Sequence, residues 1–389
     1  MSAKTLLCSL LVLPALWHSA ATSAGTRYVD AAVPASGDGT SWEMAFKTIQ
    51  EGIDFAFDGD TVIVAQGTYV ENIFMGANII LRSAEPLSPE GVQNTVIQGN
   101  RLGPVVTFSG TEDQTCVLLG FTIRGGSAEV GGGVSGNGTH ATIQNNIITD
   151  NWANCGGGVA FCEGVIRNNR ITGNSAEVEG GGLCGCHAAI QNNTIAVNSA
   201  GERGGGLFDC TGVLLNCIIW ENAAPSGAQL LESAEPNYCC VQHWLGPGEG
   251  NIIMNPMFVG PGGADCRLFE PSPCIDTGKN EGWMRDAVDL DGKPRILMGA
   301  SSMTVDMGAY EYGSFAFRVM DLVRDGGDVA RLTWASRAGD TYTVWSCDDL
   351  SGGEWAPEGT LSSEGEVTTW TDPYATSACK LYRIEIGPK

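Results

Sequence analysis

Runs of three glycines stand at 131–133, 156–158, 180–182 and 204–206, at steps of 25, 24 and 24 residues. Other positions keep the same step. Asn145, Asn168, Asn192 and Asn216 form one column, and Ile148, Ile171, Ile195 and Ile219 form another. Asn151, Asn174, Asn198 and Asn222 follow, then Ala153, Ala176, Ala200 and Ala224, while Ile143, Ile166, Ile190 and Leu214 precede the first Asn column. Chance does not hold so many columns over four copies, so the chain carries a true internal repeat. A unit this short cannot bury its own apolar side, and it must stack on its neighbours to do so.

Three architectures use units near this length. Helical pairs need about 30 or more residues and few glycines, and leucine-rich units need several leucines each. These units carry at most three leucines and are rich in glycine. Each instead offers short β-rich pieces split by Gly or Asn, in the first unit Gly133-Val134, Ala141–Gln144 and Ile147–Thr149. That pattern predicts three strands per coil of a parallel β-helix, with like residues stacked about 4.8 Å apart. An inward Asn column can then form an amide ladder at a bend. Asn145 and Asn146 cannot both follow strict alternation, and the pattern leaves open which points in. Ile171 should face the core and Arg170 the solvent. Leu118–Ile123, Thr61–Val64 and Ile79–Leu81 read as parts of earlier coils.

A solenoid must cover its open ends. Ser41–Phe57 places Phe46, Ile49, Ile53, Ala56 and Phe57 on one helical face, with Ser41 as N-cap, and is expected to plug the first coil. The β-helix should span 25–236. From 237 to 312 the repeat gives way to Pro, Gly and acids, as expected of a closing segment. Residues 315–389 show alternating runs such as Arg331–Ala335 and Thr341–Ser346, which predict a small separate β-sandwich.

Several motifs resemble those of known proteins. Tyr28-Val29-Asp30, Gly39-Thr40-Ser41-Trp42, Gly59-Asp60-Thr61-Val62 and Gly67-Thr68-Tyr69 look like the start of secreted bacterial right-handed parallel β-helix proteins. Asn255–Phe258, Ser272–Asp276, Asp289–Arg295 and Val305–Glu311 are similar to the choice-of-anchor Q segment that closes many of them. The glycine-rich coils also resemble polymorphic outer-membrane protein repeats. The resemblance covers about residues 27–312 and implies an all-β, pectin-lyase-like, right-handed β-helix that is exported. It implies no single reaction, because function resides in sites and not in folds.

Met1–Ala24 has the form of a secretory signal peptide: Lys4, an apolar run from Leu6 to Leu16, and small residues before a cleavage point. No later stretch approaches the roughly 20 apolar residues of a membrane helix. Removing Lys4 with the leader leaves 20 bases against 44 acids. That balance argues against nucleic-acid partners, whose phosphates require Lys and Arg, and favours a secreted or cell-surface protein.

Chemistry is sparser. The polygalacturonase pattern of paired aspartates is missing from the coils. Residues 131–224 hold seven acids, no Lys, and only Arg167, Arg170 and Arg203 as strong bases. Glu163 and His187 lie 24 residues apart, on adjacent coils, with Arg167 near in sequence; together they are the candidate catalytic set for proton abstraction from a uronate. The alternative is a polar ladder on a solvated face. Asp276, Asp289, Asp291, Asp306 and Glu311 cluster in the closing motifs and are candidate calcium ligands, or else caps of Asp-Gly hairpin turns. Of the cysteines, Cys162, Cys186 and Cys210 share a column and suit a buried thiol stack better than a bridge. Cys266–Cys274 and Cys347–Cys379 are the candidate disulfides. Trp334, Trp345, Trp355 and Trp370 load the last domain with aromatics, at least two of them expected in its core. The leading expectation is recognition of a glycan or surface partner without catalysis; a polysaccharide lyase and a structural spacer are the alternatives.

Overall fold

The computed structural model describes residues 24–263, 265–296, 304–312, 319–325, 329–336, 341–348, 355–363, 367–373 and 380–386. The expected leader lies outside these residues up to position 23, as does Cys379. The chain winds into a parallel β-solenoid. Its long sheets hold nine, eight and seven strands, here sheets I, II and III in that order, and a fourth sheet, IV, holds four. In a central coil the chain runs from Thr142–Gln144 in sheet I to Ile147–Thr149 in sheet II. It continues through Trp152–Cys155 in sheet IV to Val159–Cys162 in sheet III. The central coils therefore carry four strands, one more than the three expected. The extra strand follows an Asn and is only half apolar, so its pattern alone does not read as β.

Repetition sets the register. Ile148 pairs with Ile171, Ile171 with Ile195 and Ile195 with Ile219, and all four are fully buried. Each such burial contributes about 2 kcal/mol. The doubled asparagines divide their work. Asn145, Asn168, Asn192 and Asn216 take left-handed φ of 49 to 55° and turn the corner between sheets I and II, a conformation Asn tolerates better than most residues. That turn lets the next residue point inward as well. Asn146 donates to Asn169 Oδ1 and Asn169 to Asn193 Oδ1, at 3.2 and 3.1 Å. A second ladder runs through Asn151, Asn174, Asn198 and Asn222 at 3.0 Å per step. The triple glycines serve close approach: a Cβ on Gly157 would lie 2.6 Å from Gly181 O of the next coil.

The N-terminal plug is shorter than expected. Phe46 is drawn into a bridge with Val29, exchanging backbone hydrogen bonds with Tyr28 and Asp30, so the helix begins only afterwards. It spans Ile49–Asp54, and its N-cap is Thr48 in a capping box with Glu51, not Ser41. Ile49 and Ile53 are buried on the first coil, whereas Phe57 is exposed.

The segment expected to close the far end does so only in its first part. Cys240 bridges to Ile252, and Trp244 packs against the solenoid core. From about residue 254 the chain turns back along the outer face of sheet II. Cys266, Leu290, Ala309 and Tyr310 pack on Val92 and Ile147, and Leu268, Cys274 and Met307 pack on Ile218, Trp220 and Cys240. We call this stretch the clamp. Arg170 therefore lies half-buried beside it instead of in solvent. The outward residues of sheet II include Thr194 and Ile218, apolar enough to accept a cover that the repeat pattern does not announce.

The C-terminal residues form two three-stranded antiparallel sheets, Val319–Asp325, Val329–Ala335, Val367–Asp372 and Thr341–Cys347, Ala356–Ser362, Leu381–Ile386. They share a core of Leu332, Trp334, Tyr342 and Val344, with Trp370 packed against it. Arg383 lies over the rings of both Trp345 and Trp355.

Candidate functional site

With sheet II covered by the clamp, sheet IV and its border with sheet III offer an open face. Its inward column is small, with Ala153, Ala176 and Ala200 buried beside the second Asn ladder. Its outward column pairs Ser127 with Trp152, Trp152 with Ser175 and Ser175 with Ser199. Trp152 is thus the one large ring among hydroxyls, and it is 40% exposed. Beside it Leu102, Gly103, Pro104, Ser127, Ala128, Glu129 and Asn154 line an open depression of about 400 Å³. An exposed indole with a few polar groups at its edge suits the apolar C–H face and hydroxyl rim of a sugar ring. No Lys or Arg lines it.

The border with sheet III is fastened covalently. Cys155 and Cys184 form a disulfide, with Cα atoms 6.1 Å apart, next to a small cluster of Ala160 and Phe208. Glu179 stands beside the bridge and pairs with Arg203, whose guanidinium lies 4.7 Å over Phe208. As placed, Cys155, Glu179 and Cys184 are the only three His, Cys, Asp or Glu side chains among the described residues whose ligand atoms all lie within 4.8 Å of one another. Bonded to each other, the sulfurs offer no thiolates.

The candidate catalytic set does not assemble. Glu163 Oε2 lies 3.7 Å from His140 Nε2, and His187 Nδ1 lies 2.8 Å from Thr211 Oγ1. Arg167 is held in sheet I, where its Nε donates to Gln144 and its guanidinium lies 4.7 Å over Trp283 of the clamp. Burial holds its pKa below the ordinary range. As placed, Glu163, His187 and Arg167 each turn to a different partner.

Four of the five clustered acids act as internal acceptors. Asp289 takes backbone N–H groups of Asp291, Lys293 and Glu311, as the hairpin-turn alternative requires. Asp306 takes those of Asp276 and Tyr312. Asp291 pairs with Arg267 at 2.6 Å, and Glu311 with the buried Arg295 at 2.7 Å. Asp276 remains exposed. Their oxygens do not converge on one point as a calcium cage requires. Burial pushes Asp289 up to about 6 and Asp306 up to about 7, and raises Glu311 well above the usual carboxylate range.

Cys266 and Cys274 are both free and sit in separate apolar clusters, so the bridge expected between them is corrected. Spacing of eight residues brought them together only in sequence. Cys347 is free and buried; the structure does not describe its expected partner. Cys162, Cys186 and Cys210 are free and buried in the core. The thiol of Cys186 beside Cys162, and burial around Cys210, raise both flanking thiols above their ordinary range.

Sequence reasoning passed over Trp152 and the Cys155–Cys184 bridge. One signal was present: Trp152 interrupts a column that is otherwise serine through residue 199. These features define a parallel β-solenoid protein with a laterally attached clamp and an open face around Trp152. Compared with known proteins, the chain matches no family model and no curated protein.

Proposed function

We propose that the protein is exported by Met1–Ala24 as a right-handed β-helix of the pectin-lyase-like type with a choice-of-anchor Q-like closing segment. In this reading it binds a glycan at the cell surface or outside the cell, without catalysis. The observation that carries the reading is the depression beside Trp152. Its one aromatic platform, its flanking Asn154 and Ser127, and the carboxylate of Glu129 suit a neutral sugar, and the chain's net charge of −23 opposes polyuronates. The wide-open form of the site favours capture of a polymer over enclosure of a reacting bond.

A screen of immobilised neutral and acidic glycans, followed by titration with the best oligosaccharide, tests this. Wild-type protein should bind a neutral glycan with a change in Trp fluorescence and release no unsaturated product from uronate polymers. Trp152→Ala should weaken binding at least about tenfold, the equivalent of 1.4 kcal/mol. Unchanged affinity in that variant, or unsaturated product that is lost in His187→Ala, would overturn the proposal.

A further inference from the structure

His140, Glu163, His187 and Thr211 form a single column at the corner between sheets III and I. Backbone bonds hold the coils in step there: Glu163 N donates to Thr139 O at 2.8 Å and Val165 N to Ala141 O at 3.1 Å. All four side chains are exposed. Their contacts fall into two pairs with a gap between them. His140 Nε2 and Glu163 Oε2 stand 3.7 Å apart, too far for a good hydrogen bond. Two ligand atoms each about 2.1 Å from a tetrahedral ion are separated by about 3.4 Å, so a small inward shift of these exposed side chains brings the pair to the spacing of one ion's ligands. One coil further on, His187 Nδ1 meets Thr211 Oγ1 at 2.8 Å. Either partner can donate; with Nδ1–H donating to the hydroxyl, Nε2 carries the lone pair. This is the arrangement that outer partners impose on metal-binding histidines.

We propose that this column is a binding site for a divalent transition cation, such as Zn²⁺. His140 Nε2, one Glu163 oxygen and His187 Nε2 are its ligands, and Thr211 is the positioning residue. Two imidazoles and a carboxylate form a borderline donor set that suits Zn²⁺, Co²⁺ or Ni²⁺ better than calcium. The three Cα positions span two coil steps, roughly 2 × 4.8 Å, within reach of two histidine rings closing on one ion. Rotation of the exposed His187 ring toward Glu163 is the adjustment required. Remaining positions are open to water or to a ligand oxygen. The site is separate from the face around Trp152 and does not depend on sugar binding.

The test uses the untagged, oxidised full chain titrated with Zn²⁺ by calorimetry and with Co²⁺ by visible spectroscopy. One ion should bind, and the Co²⁺ spectrum should show nitrogen and oxygen ligation without a thiolate charge-transfer band. His140→Ala, Glu163→Gln and His187→Ala should each weaken binding, and Thr211→Val should do so by about tenfold or more, as loss of an outer partner does. Because the residues are exposed, melting of the metal-free variants should match wild type, which separates ligand loss from misfolding. Wild-type binding no tighter than that of the variant lacking all three ligands would overturn the proposal. So would a thiolate band, which would place the ion on cysteines.

Discussion

Between residues 131 and 224 every buried polar side chain is Asn, Thr or Ser; among the described residues between 265 and 312 the buried polar set is Asp289, Arg295, Asp306, Glu311 and Ser272. The coils satisfy their polar groups by copying. Each ladder Asn donates to a carbonyl of the coil before, and all but the last of each ladder donate also to the next Asn, as Asn169 does to Ile143 O and Asn193 Oδ1. No charge is needed, and each interaction has a near twin one coil away. The clamp has no twin. Arg295 reaches Glu311, Gly308 O and, 127 residues distant in sequence, Asn168 Oδ1. Neutral ladders make the solenoid tolerant of length, whereas the clamp depends on single pairs whose loss nothing beside them repairs.

That contrast can be broken first at its strongest point. Ile171→Asp places an unpaired carboxylate in the coil core and should cost several kcal/mol or prevent folding. Arg170→Asp, under the clamp edge and not in the core, should cost less but not be silent. Circular dichroism and denaturant titration read both; equal effects would remove the distinction between core and covered face.

A second variant addresses the clamp alone. Arg295→Met leaves Glu311 buried beside Asp289 and Asp306 without its guanidinium. Breaking a buried pair this way costs about 3–5 kcal/mol. Hydrogen exchange should speed up across the described clamp residues while amides of the repeat coils stay protected. Uniform loss of protection along the chain would show the two regions to be one cooperative unit.

The smallest expected effect is with pH. Burial raises the folded-state pKa of Asp289 to about 6 and of Asp306 to about 7. Above pH 4 the unfolded chain has released these protons while the folded chain still binds them. Their contribution to stability is therefore complete at low pH and lost as pH rises through 6 to 7. A tenfold change in proton affinity is worth about 1.4 kcal/mol, so the loss from pH 6 to pH 8 is on the order of 2 kcal/mol. The denaturant midpoint should be higher at pH 6 than at pH 8. A midpoint that instead rises toward pH 8 would mean that the Arg295 pair and the backbone donors outweigh burial.

Much of the solenoid was legible because repetition states each contact several times. The Ile columns and the triple glycines repeat one environment at a fixed step, and any coil predicts the next. The C-terminal sheets were legible for the ordinary reason that their apolar residues alternate. The face around Trp152 was harder to read, since its signal is one departure from a serine column. Some of its lining residues, Leu102 among them, come from coils that the repeat pattern covers only weakly.

Sequence by itself determined the parallel stacking, the inward Ile column, the recurrence of Asn and the acidic, Lys-poor coils, because these follow from local periodicity and composition. Tertiary structure alone decided that the described residues between 254 and 312 lie along sheet II, that Arg167 sits over Trp283, that Cys155 bonds to Cys184 and that Glu163 faces His140. Each of those is a meeting of unlike residues far apart in the chain. Periodicity records which residues recur, but a contact made once leaves no period to read.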